Sequence, residues 1–242
     1  MRQLFKYLFF PFFLIHSVLC IAQVSNGYFL KSKAGDKYFV ALGYGQGTAH
    51  WNSLFEKTEF YDKDGSVINK GDFHFGANSP TKNYDICVLA PIRHVRLGLG
   101  IDFEFHYLSQ LRVYTKTGTD YLLFDESMRF DKIFIAAEVP FKYESRKKYS
   151  LSWNMRCGWF GYTNVKRFNF IGDKPFPIAL LFNTGLTADY EFYPHVYLFA
   201  SPHMEYKIYD NSRTEAPVQI VHKIYSAAVI VGVRVDLGKL TN

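Results

Sequence analysis

Hydrophobic and polar residues alternate along much of this chain, most clearly from Val95 to Tyr107. Every second residue of that stretch is apolar or aromatic, and the residues between them are charged or small. Successive side chains of a β-strand point to opposite faces, so the pattern predicts a strand with one apolar and one polar face. A strand of about 13 residues is longer than is usual in globular sheets and suits a tilted strand that crosses a bilayer.

The same alternation recurs in seven further segments, which predicts about eight strands in total. These segments are 37–45, 84–90, 133–143, 149–159, 178–190, 196–207 and 225–237. Pro202 lies inside one of them, and because proline has no backbone N–H it predicts a bulge or a missing ladder bond there.

Short and long connections between these segments follow one another in turn. The short ones are 91–94, 144–148 and 193–194, and the long ones are 48–82, 109–129, 163–177 and 210–219. This order is typical of outer-membrane barrels with periplasmic turns and extracellular loops. The turn at 62–65 predicts a hairpin projecting above the membrane. Two additional barrel strands, making ten, are the alternative, which the polar residues 69–72 disfavour.

A soluble barrel of the lipocalin type would show the same alternation with its faces exchanged. The order of the connections, glycines on the polar face and aromatic residues near the ends of the apolar face favour the membrane barrel. The glycines are Gly98, Gly100, Gly158, Gly185 and Gly232, and the aromatic residues are Tyr107, Tyr143, Tyr149, Trp159, Tyr190, Tyr206 and Tyr225. The predicted fold class is therefore an all-β, antiparallel up-and-down transmembrane β-barrel.

The N-terminus has the features of a cleaved secretion signal. Arg2 and Lys6 precede an apolar run that ends in a small-x-small pattern at Cys20–Ala22. We therefore expect a signal peptide at 1–22, a short periplasmic segment at 23–36 and the barrel at 37–242.

Charge and cysteine content exclude several classes of function. The net charge of +6 falls near +4 without the leader and is dispersed, so we expect no nucleic acid partner. Cys87 and Cys157 fall on opposite strand faces, which disfavours a disulfide. No cysteine or histidine pair has the spacing of a zinc site, so we expect no metal and no cofactor.

Two motifs give the chain a resemblance to a known group of proteins. Residues 137–143 (AEVPFKY) are similar to a Glu-apolar-Pro segment that closes the fourth strand of such barrels. Residues 230–237 (IVGVRVDL) resemble the C-terminal signal read by the barrel-assembly machinery, although the chain lacks a terminal aromatic residue and continues to Asn242. Over roughly 37–237 the chain thus resembles the small outer-membrane β-barrel superfamily, the OmpA/OmpX-like and PorT-like barrels of Bacteroidota.

The resemblance implies the outer membrane of a Gram-negative bacterium and, because the superfamily is diverse, no particular activity. We expect a structural or surface-interaction role, with lipid, lipopolysaccharide and the barrel-assembly machinery as partners. A protein partner could bind loops that carry aromatic residues such as Trp51 and Phe55. A small channel of ten or more strands is an alternative.

Two sets of polar residues are candidates for chemistry on the lumen face. Asp102, Glu104 and His106 share one strand, and Ser201, His203 and Glu205 share another. Serine, histidine and a carboxylate are the groups that acyl transfer requires, so a lipid-modifying enzyme is an alternative function. Charged and hydroxyl side chains routinely fill such lumens, however, and we predict that the protein is not an enzyme and has no catalytic residue.

The predicted turn at 144–148 also fixes a register. If Tyr143 pairs with Tyr149, then Glu138 faces Asn154 and Ala136 faces Arg156. Glu138 and Arg156 become diagonal neighbours on the lumen face, within reach of each other's side chains. We predict a structural salt bridge between them, because unpaired charge in a narrow lumen is unfavourable.

Overall fold

The computed structural model describes residues 38–61, 67–92, 95–108, 112–114, 120–122, 126–141, 148–164, 178–211 and 219–237. Ten strands occur in these ranges: β1 Phe39–Tyr61, β2 Val67–Ile92, β3 Val95–Leu108, β4 Arg112–Tyr114, β5 Asp120–Leu122, β6 Glu126–Pro140, β7 Tyr149–Asn164, β8 Ile178–Tyr193, β9 Val196–Asp210 and β10 Gln219–Asp236. The predicted signal peptide, the periplasmic segment 23–36 and the turns at 62–65 and 144–147 lie outside the described residues.

Eight of the strands form a closed antiparallel barrel in the order β1-β10-β9-β8-β7-β6-β3-β2, with β1 and β2 paired to complete the circle. The other two, β4 and β5, form a small extra ladder on β2 at His74–Gly76. The prediction of an eight-stranded up-and-down barrel is confirmed, and the alternative of ten barrel strands is wrong. In the described part of the chain no helix is long and apolar enough to cross a bilayer.

The barrel has a definite shear. Following paired residues from Ala49 on β1 through all eight strands returns to β1 at Phe39, ten residues lower. This stagger with eight strands corresponds to a strand tilt of about 40°. Such a barrel has an interior just wide enough for side chains to fill.

The barrel is apolar outside and polar inside. Leu99 and Met204 on the outer surface are 65% and 71% exposed, whereas Lys132 and Glu104 in the interior are 2% and 1% exposed. In a soluble barrel the apolar face would be the buried one, so this arrangement fits only a barrel surrounded by lipid. The chain is therefore a β-barrel of the outer-membrane type.

Aromatic side chains mark both ends of the outer apolar surface. Exposed rings at the end where β1 begins and β10 ends are Tyr38, Tyr149, Tyr190 and Tyr193, and those toward the other end are Tyr107, Trp159 and Tyr225. Tyr206 packs against Tyr225, with ring centroids 4.9 Å apart. These two bands match the interfacial positions that tyrosine and tryptophan favour. We call the end that contains Tyr38, Leu237 and the short turn between β8 and β9 the periplasmic end.

The first hairpin extends far beyond the length needed to cross a membrane. Its strands β1 and β2 have 23 and 26 residues, against about 9–11 for a spanning strand. The predicted strands 37–45 and 84–90 were too short, because the polar residues between them continue the same two strands. The predicted projecting hairpin is thus an extension of the barrel wall, paired as far as Tyr61 and Val67.

Local details follow the sequence pattern closely. A Cβ atom at Gly100 would lie 2.3 Å from the Phe134 ring, so only glycine lets that ring fill the lumen. Beside Pro202 the β8–β9 ladder lacks partners for Leu186 and Thr187 but keeps its register, the missing ladder bond that was predicted. Cys87 is buried in the interior and Cys157 is partly exposed, and both are free.

Candidate functional site: the charged interior

The interior of the barrel is filled by ion pairs arranged in three clusters along its axis. Alternation places every second residue of each strand inside, and glycines and alanines among these leave room for long charged side chains. Proceeding from the periplasmic end, we name them the lower, middle and upper clusters.

The lower cluster consists of Glu138, Arg96, Arg234 and Asp189. The Glu138 carboxylate lies 2.9 Å from Arg234 Nη1 and 3.4 Å from Arg96 Nη1. Arg234 Nη1 is also 3.3 Å from Asp189, and Ser152 Oγ donates a hydrogen bond to Glu138. Two arginines and two carboxylates therefore balance in charge, and Glu138 connects both cations.

The middle cluster is the pair of Arg156 and Asp85. Two parallel hydrogen bonds join them across the lumen, from Nη1 and Nη2 to the two carboxylate oxygens at 2.8 and 3.0 Å. The guanidinium lies over the Phe134 ring, 4.6 Å from its centroid. This bidentate geometry is the strongest form of an arginine–carboxylate contact.

The predicted salt bridge between Glu138 and Arg156 is therefore wrong, although the register that led to it is confirmed. Glu138 pairs with Asn154, and Ala136 pairs with Arg156. Each charged group has other partners, however: Glu138 binds Arg96 and Arg234, and Arg156 binds Asp85. Arg96 stands directly opposite Glu138 on β3, closer than a diagonal neighbour.

The upper cluster contains two lysines and three carboxylates. Lys132 Nζ lies 2.9 Å from Asp102, 2.7 Å from Glu104 and 2.7 Å from Glu205. Lys207 Nζ contacts Glu104 and lies 2.8 Å from Glu205. Lys132 thus joins the two predicted polar sets, one from β3 and one from β9, into a single network.

His106 connects the upper cluster to a serine that the sequence analysis did not identify. Ser79 Oγ lies 3.0 Å from His106 Nδ1, and His106 Nε2 lies 3.1 Å from Glu104. The order serine, histidine, carboxylate resembles the groups of an acyl-transfer site. Ser79 was missed because it falls in a stretch that was predicted to be a loop.

The other predicted set does not form such an arrangement. Ser201 Oγ accepts from Asn154 Nδ2 at 2.9 Å and contacts Thr187 Oγ1 at 3.1 Å. His203 Nδ1 lies 3.3 Å from the backbone oxygen of Ser201, so it does not contact the hydroxyl group. The side chains of Ser201, His203 and Glu205 are all buried in the interior, where Ser201 and Glu205 contact side chains of other strands.

Aromatic rings close the lumen above the upper cluster. Trp51 is fully buried, and its Nε1 lies 3.2 Å from both Ser79 Oγ and His106 Nδ1. The Phe130 ring packs 5.6 Å from Trp51 and 4.7 Å from His106. The prediction that Trp51 belongs to a partner-binding loop is therefore wrong.

Across the described ranges, no three histidine, cysteine or acidic side chains are grouped so that they could hold a metal.

No protein family and no curated protein matches this sequence. The chain is similar in structure to the outer membrane protein OprG from Pseudomonas aeruginosa, with 9% identity, a TM-score of 0.47 and coverage of 84% of this chain and 96% of that one. It is also similar to Neisserial surface protein A, with 13% identity, a TM-score of 0.42 and coverage of 84% and 98%. The outer membrane protease OmpT from Escherichia coli matches with 9% identity, a TM-score of 0.42 and coverage of 85% and 98%.

Proposed function

We propose that this protein is a closed, non-conducting barrel of the Gram-negative outer membrane, with a structural or surface-interaction role. The filled lumen is the observation that carries this proposal. Three clusters of paired charges and a layer of aromatic rings occupy the interior from the periplasmic end to Trp51. A solute would have to break these ion pairs to pass, and each pair is nearly dry, so breaking it is unfavourable.

The parts above the membrane are the surfaces that remain for binding a partner. The extended hairpin of β1 and β2, together with β4 and β5, forms a sheet that continues beyond the barrel wall. Strands paired in a sheet give this region a defined backbone, which favours specific contacts with a partner. Lipid, lipopolysaccharide and a second protein are the partners we propose for this region and the outer wall.

We expect no steady ion conductance from the folded barrel in a planar lipid bilayer. The measurement uses protein whose folding is verified by its heat-dependent shift in gel mobility, with a general porin as the positive control. Discrete, reproducible current steps from the purified wild-type protein would contradict the proposal, since a lumen closed by ion pairs offers no continuous water path.

A lipid-modifying enzyme is the second candidate function, because Ser79, His106 and Glu104 form an ordered series of contacts. The site nevertheless lacks access. Ser79 and His106 are 2% and 0% exposed, and Trp51 covers both. Glu104 is also held by two lysines, which makes it part of the ion-pair network. We therefore propose that these residues stabilise the barrel and that the protein is not an enzyme.

Histidine substitutions test this proposal. We expect that neither purified wild-type protein nor the variants His106→Ala and His203→Ala change the acyl chains of lipid A or phospholipid, as measured by mass spectrometry. The matched control is His50→Ala, an exposed histidine on the outer surface. Acyl transfer or hydrolysis by the wild type that is lost in His106→Ala or His203→Ala, but kept in His50→Ala, would show that the protein is an enzyme.

A further inference from the structure

A row of residues on the outer surface combines two cations with aromatic rings. Lys82 on β2 pairs with Phe105 on β3, and Phe105 pairs with Arg129 on β6. All three point away from the lumen, because the interior residues Asn83, Glu104 and Phe130 alternate with them. The two cations are separated by two strand spacings, or about 10 Å between backbones.

Aromatic rings hold both cations against the barrel wall. Lys82 Nζ lies over the Tyr107 ring, 5.4 Å from its centroid, and the Arg129 guanidinium lies over the Phe103 ring at 5.0 Å. Such contacts orient a cation and leave its other side open to an anion. The row is therefore ordered before any ligand binds.

The charge of the row is only partly balanced. Arg129 Nε donates to Asp131 at 2.6 Å, and within the described ranges the terminal nitrogens of Arg129 have no acceptor. Lys82 has no carboxylate partner in the part of the chain that the structure describes. One positive charge remains, together with a guanidinium fork that suits a phosphate group.

The row lies at the outer boundary of the apolar surface. On β2, the exposed residues from Lys82 toward the periplasm are Tyr84, Ile86 and Val88, and in the opposite direction they are Pro80 and Asn78. On β6, the outward-facing residues on the periplasmic side of Arg129 are its ion-pair partner Asp131 and then Ile133, which is 63% exposed. A ligand on this row therefore has apolar surface below it and polar surface above it, as a lipid headgroup does.

We propose that Lys82 and Arg129 bind the phosphate groups of a phosphorylated outer-leaflet glycolipid of the lipid A type. This inference rests on the proposed outer-membrane location. Phosphates complement the two cations, and acyl chains complement the apolar wall beneath them. A free anion would use only the cations, and an acidic polypeptide would lie above the bilayer, away from Ile133 and Ile86.

Native mass spectrometry tests the proposal by measuring how tightly the folded protein in detergent binds bisphosphorylated lipid A. Each cation at a charged membrane surface contributes to the free energy of lipid binding. Loss of one cation, in Lys82→Gln or Arg129→Gln, is therefore expected to weaken binding about fivefold, and loss of both about 25-fold. The control is Lys223→Gln, which removes a third exposed outer-surface cation on β10 and is expected to leave binding unchanged.

The source of the phosphate is tested in the same assay. Lipid A without phosphates is expected to bind as weakly as the double variant binds the intact lipid, and millimolar inorganic phosphate is expected not to displace the lipid. Equal binding by wild type and double variant, equal weakening by Lys223→Gln, or displacement by inorganic phosphate would each overturn the proposal. If the double variant does not fold, Lys82→Gln alone is decisive, because Lys82 has no ion pair in the described ranges. Bilayer conductance tests the closed lumen separately.

Discussion

Replacing Glu138 by glutamine is expected to lower the free energy of unfolding by about 3–5 kcal/mol, since a buried ion pair that loses one partner leaves an unbalanced charge. Glu138 holds both Arg96 and Arg234, and all three side chains are at most 5% exposed. In the variant Arg96 and Arg234 would lose the carboxylate that they share, while Arg234 would keep its contact with Asp189. Because the Arg96 and Arg234 side chains are only 3% and 5% exposed, solvent compensates the lost carboxylate only weakly.

The change in the free energy of unfolding is measured by urea unfolding in phospholipid vesicles, with tryptophan fluorescence as the signal. The control is Glu191→Gln at the periplasmic turn, where the glutamine oxygen can still accept from His195 N, so a change within about 0.5 kcal/mol is expected. The double variant Glu138→Gln/Arg234→Gln restores the charge balance and should be less destabilised than the sum of the single variants. A loss below about 1 kcal/mol for Glu138→Gln would show that water reaches the lower cluster.

The sequence predicted the strands and their faces because alternation is a local property. It assigned the apolar residues of 95–107 to the outside and Glu138 to the inside from neighbours within a few residues. The register of β6 and β7 was also predicted correctly, since the short turn between them fixes which residues pair. Both kinds of prediction depend only on contacts close in sequence.

The partners of the interior charges could not be predicted in the same way. Arg156 meets Asp85 across the lumen, and this contact depends on how the whole barrel closes with a shear of ten. Arg96 opposes Glu138, but the long connection 109–129 hides the register of their two strands. Trp51 was assigned to a loop because the polar composition of 48–82 conceals the continuation of β1 and β2.

An arginine at position 99 tests the membrane assignment directly. Leu99 is 65% exposed on the outer surface, and its partner Val88 on β2 lies midway between exposed Tyr84 and Ile92. Position 99 therefore lies near the middle of the apolar band. The substitution Leu99→Arg is expected to cost about 2–4 kcal/mol, because the guanidinium would face hydrocarbon at the bilayer midplane.

The matched control is Asn78→Arg, on the same outer surface but beyond the apolar band, where an arginine is expected to cost about 0–1 kcal/mol. Urea unfolding in vesicles should therefore separate the two variants, whereas unfolding in a detergent micelle, whose apolar layer adapts to a charge, should reduce the difference. If arginine costs the same at both positions in vesicles, the outer surface does not face hydrocarbon at Leu99. The exposed leucines, valines and isoleucines of the barrel would then need another covering, since an uncovered apolar surface of this extent is unstable in water.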